Sequence, residues 1–339
     1  MFYLENENTF GMGLALIKVV ENRHSKYYLF TLLGILLTIV CSTSAQAVAR
    51  ATYLYNLSGF TGTIRYNWVR PFVDKERNEI YIANGQDQSV RIFNENGMEV
   101  YAFGDDENLS GMLDGAVDKQ GNIFILTIKY DNGLPRNEIV RCNFRGEPTS
   151  TIEIKDFPPE FSTSAIHRLV YMKGSLYLAN LVSKQIVVTD ANGHFKKGYD
   201  IAKILNLTEK EKEELNIVGF SVAPDGSIFF TIPVLFTAFK LSPDGQAQPF
   251  GKKGSAPGKF NIIAGIASDD RGYIYVVDKL RSVVMIFDKE FKFQSEFGYR
   301  GPRPGNLIAP NQLEVDGKGR VYVTQSARRG VSVFQVKYD

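Results

Sequence analysis

Two histidines, His167 and His194, one cysteine, Cys142, and a basic cluster near the C-terminus carry most of the chemistry available to residues 48–339. The cluster comprises Lys252, Lys253, Lys259, Lys279, Arg281, Arg300, Arg303, Arg328 and Arg329. Cations gathered on one face steer an anionic partner and help to hold it. Asp105, Asp106 and Glu107 form an acidic counterpart upstream. A single cysteine leaves no internal disulfide, so Cys142 reads as a small buried hydrophobe in a strand. The chain carries no G-x-S-x-G elbow, no P-loop, no C-x-x-C and no C-x-x-C-H. No linear catalytic motif therefore marks an active site, and the elements that carry these residues decide which of them meet.

Composition bounds those elements. The chain has 339 residues, 44% of them hydrophobic and 12% aromatic. That is enough for one large β domain with a packed core. The net charge of +2 gives no bulk argument for DNA or membrane binding. Near the N-terminus, the apolar run "YYLFTLLGILLTIV" (27–40) follows Lys18, Arg23, His24 and Lys26, and precedes "CSTSAQA" with Ala45 and Ala47 in A-x-A spacing. This is the layout of a secretory signal peptide cleaved after Ala47. An uncleaved anchor is the alternative, since small residues through Ala49 lengthen the run. The run begins far from Met1, and Met12 offers a second start. Bulky Val40 before Cys41 argues against a lipoprotein site. The chain thus divides into an N-terminal extension, 1–47, and a domain, 48–339, placed outside the cytoplasm.

An aliphatic–aromatic pair recurs six times, at Ile80-Tyr81, Ile123-Phe124, Leu176-Tyr177, Ile228-Phe229, Ile274-Tyr275 and Val321-Tyr322. A turn precedes each pair, such as "DKQG" (118–121), "DDRG" (269–272) and "DGKG" (316–319). A second turn follows the next strand, as in "NENG" (94–97) and "SPDG" (242–245). Each repeat reads as four strands. A four-stranded repeat of about 40 to 50 residues is a propeller blade, and six copies predict an all-β, six-bladed β-propeller. The sixth copy lacks its last strand, and "ATYLYNLSG" (51–59) is available to supply it and close the ring. "NLTEKEKEELN" (206–216) breaks the β rhythm. Thr208 and Glu211 have capping-box spacing, which predicts a short exposed helix between blades 3 and 4.

The segments "VRPFVDKERNEIYIAN…VRIFNENG" (69–97), "GIASDDRGYIYVVD" (265–278), "VVMIFD" (283–288) and "LEVDGKGRVYVTQ" (313–325) resemble NHL repeats. The resemblance covers nearly all of residues 51–339. It weakens in blades 2 to 4, where "TIKYDNGLPRNE" (127–138) enlarges one loop and "FTIPVLFTAF" (230–239) replaces an Asp-containing turn. NHL-like propellers include binding scaffolds and enzymes, and the fold does not choose between them. Metal-dependent lyases among similar propellers use several histidines around zinc, whereas strand order puts His167 and His194 on opposite rims. Lactonase-type relatives hold a divalent cation with Glu, Asn and Asp oxygens. The resemblance offers Asn84, Asp114, Asn180 and Asp278 for that role, although Asn84, Asn180 and Asp278 also suit strand-end turns.

The leading expectation is a non-enzymatic scaffold with no cofactor, whose loop face meets a protein or other anionic partner in the cell envelope. Arg281, Arg300, Arg303, Arg328 and Arg329 are its expected first contacts. Ordinary loop solubility is the plainer account of the same charges, and purely structural association within an envelope complex is a further possibility. Nucleic acid is not an expected partner of an exported chain, and a membrane is met only through an uncleaved N-terminal segment. The alternative function is a metal-dependent hydrolase or lyase with a divalent cation in the central channel.

Overall fold

The computed structural model describes residues 49–338, apart from 61, 65–68, 105, 162–164 and 327–328. The N-terminal segment expected to direct export, the acidic Asp105 and the candidate contact Arg328 lie outside the described residues. No helix among the described residues is long and apolar enough to cross a membrane.

Six four-stranded antiparallel sheets form the six blades. Their first strands are Val69–Asp74, Met112–Val117, Arg168–Met172, Phe220–Val222, Ile263–Ser268 and Pro310–Val315. Each of these packs against the first strand of the next blade, and the last returns to the first, so the sheets form a closed ring. In blade 6 the fourth strand is Ala49–Asn56, paired antiparallel with Gly330–Tyr338. The two ends of the domain thus close the ring through backbone hydrogen bonds, as the truncated sixth repeat predicts.

Local chemistry explains the hairpins. In the first hairpins of blades 1, 2, 5 and 6 an aspartate ends the strand and accepts hydrogen bonds from backbone amides just downstream. Asp269 Oδ1 takes the amides of Arg271 and Tyr273, and Asp316 Oδ1 takes those of Lys318 and Arg320. Gly272 (φ 88°) and Gly319 (φ 78°) then supply the left-handed step that tightens the turn.

The buried apolar residues fall into six clusters, one between each pair of neighbouring blades. The repeated aromatics Tyr81, Phe124, Tyr275 and Tyr322 belong to these layers and are at most 2% exposed. Every blade thus buries apolar side chains on both faces, and stability accumulates around the ring at roughly 1.5–3 kcal/mol per fully buried large side chain.

The expected helix is present as Glu209–Glu214, with a complete capping box between Thr208 and Glu211 and no buried residue. A shorter turn, Ile201–Ile204, precedes it. One expectation is corrected. Residues 127–138 do not enlarge a loop; they lengthen two strands, Ile123–Asp131 and Leu134–Cys142, paired out to Asp131 and Leu134. Asn132 (φ 50°) and Gly133 (φ 81°) make a two-residue turn at the tip. The result is a β-arm that exposes Tyr130 and Leu134. In blade 4 the divergent segment runs from one strand into the next through a single 3₁₀ turn, Pro233–Leu235.

Candidate functional site

Strand pairing puts equivalent residues of the six first strands into rings around the central channel. One ring lies opposite the repeated aromatics and comprises Phe72, Ala116, Val170, Ser221, Ala267 and Glu314. Two residues earlier on each strand stand Arg70, Asp114, Arg168, Gly219, Gly265 and Gln312. Four polar or charged side chains therefore share one level of the channel. The two glycines allow the backbones to approach. A Cβ at Gly219 would lie 2.2 Å from the Ala264 carbonyl oxygen, and one at Gly265 would lie 2.8 Å from that of Asn311.

Arg168 ties this level together. Its Nε donates to Asp114 Oδ2 at 2.7 Å, and its Nη1 donates to Gln312 Oε1 at 3.0 Å. Asp114 also accepts from the amides of Leu169 and Gly115. Blades 3 and 6 are opposite in the ring, so the Arg168 side chain spans the channel and forms a polar floor. Desolvation of this pair is offset by its hydrogen bonds, and removing one partner from such a buried pair costs about 3–5 kcal/mol. Burial, reinforced by repulsion from Arg168, brings the Arg70 guanidinium down to about 10, still a cation at neutral pH.

On the side of the first hairpins the channel opens as a cup of about 440 Å³. Asp114 and Arg168 form its floor, and Phe72, Val170, Tyr171, Val222, Pro224 and Glu314 contribute to its wall. Burial pushes the Glu314 carboxyl up to about 7, against the pull of Arg168 and Lys75. At the mouth, Lys75 Nζ meets Asp270 Oδ1 at 2.6 Å, joining the hairpins of blades 1 and 5.

The residues expected from the sequence are distributed as follows. Asn84 Oδ1 accepts from the amides of Gln86 and Asp87, and Asn180 Oδ1 from those of Val182 and Ser183. Asp278 accepts from the amides of Asn261, Leu280 and Arg281. These three hold separate strand-end turns. Asp114 alone of the four lies on the channel axis, where its oxygens are engaged by Arg168 and backbone amides. Among the described residues, no group of three or more His, Cys, Asp or Glu is arranged to hold a metal ion. His167 stands at the start of blade 3 with its Nδ1 3.4 Å from the Leu181 amide, and burial lowers its pKa. His194 pairs with Asp190 on an outer hairpin turn. The Cys142 thiol is buried and pushed up to about 12.

The basic loops form the opposite face. Arg281 and Arg329 turn inward. Arg281 pairs with Glu296 at 2.6 Å and reaches the Lys259 carbonyl, and Arg329 donates to the carbonyls of Gly301 and Arg303. Arg300 and Arg303 remain exposed, as do Lys252, Lys253, Lys259 and Lys279. The loops after blades 4 and 5 are structural copies. Phe260 N donates to Lys252 O while Gly254 N donates to Phe260 O, and Leu307 with Tyr299 and Gly301 repeats the pattern. Exposed apolar side chains accompany these cations. Tyr299 and Ile262 lie on the copied loops, Leu280, Val234 and Val182 on loops between second and third strands, and Tyr130 and Leu134 on the β-arm.

The sequence reading missed Arg70, Arg168, Gln312 and Glu314. Their signal was present as charged or polar types on strands otherwise rich in apolar residues, but it becomes legible only once six first strands are aligned on the aromatic opposite them.

No protein-family model and no curated protein sequence matches the chain. Solved structures with the same architecture do. A protein of unknown function from Bacteroides thetaiotaomicron superposes with a TM-score of 0.56 at 12% identity, over 86% of this chain and 77% of that one. A streptogramin B lyase gives 0.52 at 13% identity, over 86% and 98%. A gluconolactonase from Xanthomonas campestris gives 0.53 at 12% identity, over 87% and 93%. At these identities the likeness establishes the six-bladed propeller fold and nothing finer.

Proposed function

We propose that this protein is an exported, NHL-type propeller that acts as a non-enzymatic binding scaffold, taking an acidic protein partner of the cell envelope on its loop face. The observation that carries this reading is the coincidence, on one face, of exposed apolar anchors with exposed cations. Tyr299, Leu280 and Ile262 stand among Lys279, Arg300 and Arg303 on loops braced from beneath by Arg281 and Arg329. Exposed apolar side chains set among charges are the composition of a protein contact, with aromatic and arginine side chains as its usual anchors. The bracing matters because a rigid loop loses little entropy on binding. The apolar run and A-x-A spacing of residues 27–47 support export. The repeated "FG…PG" loops, residues 250–258 and 297–305, and the aspartate-capped hairpins support the NHL assignment.

The test is affinity capture from envelope extract with the wild-type chain and with an Arg300→Glu, Arg303→Glu, Tyr299→Ala variant, each partner being identified and its Kd measured. The expected result is an acidic protein whose affinity falls at least tenfold in the variant and declines with added salt, while the melting temperature is unchanged. Equal capture by both proteins would sink the assignment of this face.

A further inference from the structure

We propose that the cup on the hairpin side of the channel, remote from the loop face, is a binding site for a small organic ammonium ion with an apolar body, and that Glu314 is its counter-ion. The argument rests on the charges that line the cup. Six acids line it, and five have an ion-pair partner. Asp74 meets Arg77, Glu76 meets Lys119, Asp114 meets Arg168, Asp118 meets Arg141 and Asp270 meets Lys75. Glu314 is the one without an ion-pair partner among the described residues. The nearby cations do not serve it, since Arg168 is held by Asp114 and Gln312 and Lys75 is held by Asp270. The remaining cation of the lining, Lys173, is exposed on the blade 3 hairpin, so Glu314 has no cation in contact.

An ammonium group has three N–H donors, and the two carboxylate oxygens of Glu314 are acceptors for them. A bare metal ion fits poorly, because Glu314 is not part of any cluster of three acidic, His or Cys side chains among the described residues. The walls supply the rest of the specificity. Phe72, Val170, Tyr171, Val222 and Pro224 are apolar or largely so, and 440 Å³ falls in the range of about 300–1,000 Å³ that encloses small molecules. An aromatic face beside a cation adds further attraction.

Ionisation of Glu314 couples the site to pH. The carboxyl sits near 7 because burial outweighs Arg168 and Lys75, with Asp114 adding to the rise. A bound cation favours the carboxylate, so binding weakens as pH falls below 7, approaching tenfold per unit.

The experiment is isothermal titration of the full propeller with benzylamine and n-butylamine at pH 8, using benzyl alcohol and benzoate as neutral and anionic controls. The expected result is saturable one-to-one binding of an amine, no saturable binding of either control, at least tenfold loss in Glu314→Gln, and roughly fivefold loss for the wild type between pH 7 and pH 6. Glu314→Gln removes a desolvated charge and keeps the side chain's shape, so it is expected to fold, and its thermal melt checks this. Absence of saturable amine binding, undiminished binding by Glu314→Gln, or tighter binding of benzoate would each overturn the proposal.

Discussion

Glu314 illustrates how a single position acquires chemistry from its place in a ring. Its equivalents in the other blades are Phe72, Ala116, Val170, Ser221 and Ala267, so a carboxyl occupies a level otherwise built from apolar or small side chains. Burial raises its pKa from the ordinary 4.5 to about 7. Below pH 4.5 the group is protonated in both folded and unfolded chains and costs nothing. Between pH 4.5 and about 7 the unfolded chain ionises it in water while the folded state keeps it protonated, so stability falls across that window and levels off once the folded state ionises too. Glu314→Gln removes that loss. The variant is expected to be more stable than wild type at pH 8, by on the order of 2 kcal/mol, and to lose most of that advantage at pH 5. Thermal melts of both proteins at the two pH values check this, and an advantage independent of pH would contradict it. The position was legible in the sequence as a glutamate within "LEVDGKGRVYVTQ", but its isolation from any cation was not. Arg168 and Asp114 are 54 residues apart, and their contact exists only because blades 2 and 3 are neighbours in the closed ring.

At the scale of elements, the hairpins and blades follow from local chemistry, which is why they were readable. Aspartates at strand ends and left-handed glycines specify the turns, and the alternating apolar runs specify the strands. In the sequence the β-arm of blade 2 looks like an enlarged loop because "TIKYDNGLPRNE" mixes polar residues with Gly and Pro. Its alternation is weak because the arm projects beyond the blade, where neither face is covered. The copied loops after blades 4 and 5 show the converse. Their basic residues were legible, but the sequence could not separate bracing arginines from presented ones. Arg329 donates to two carbonyls of its neighbouring loop and Arg281 is paired with Glu296, so both act from within. Arg329→Ala is therefore expected to raise amide hydrogen exchange at residues 299–309 severalfold while leaving the other blades protected. Exchange that stays unchanged there would show that the loop holds its shape without the arginine.

For the whole molecule, closure is the decisive contact. Ala49–Asn56 completes blade 6 by pairing with Gly330–Tyr338, and Tyr53 packs edge-on against Phe334 with ring centroids 5.7 Å apart. Deleting residues 48–56 exposes an unpaired strand edge and uncovers part of the cluster between blades 5 and 6. The expected consequence is a melting temperature lower by at least about 5 °C, given several kcal/mol of lost burial, measured by differential scanning calorimetry. An unaltered melt would mean that the ring does not depend on this strand. The sequence by itself determined the repeat, the number of blades, the turns, the closing strand and the capped helix, because each depends on residues close together in the chain or on periodicity along it. The tertiary structure alone decided which charges meet. The Arg168 floor, the unpaired Glu314 and the division between bracing and exposed arginines all join residues from different blades, and such contacts leave no local pattern in the chain.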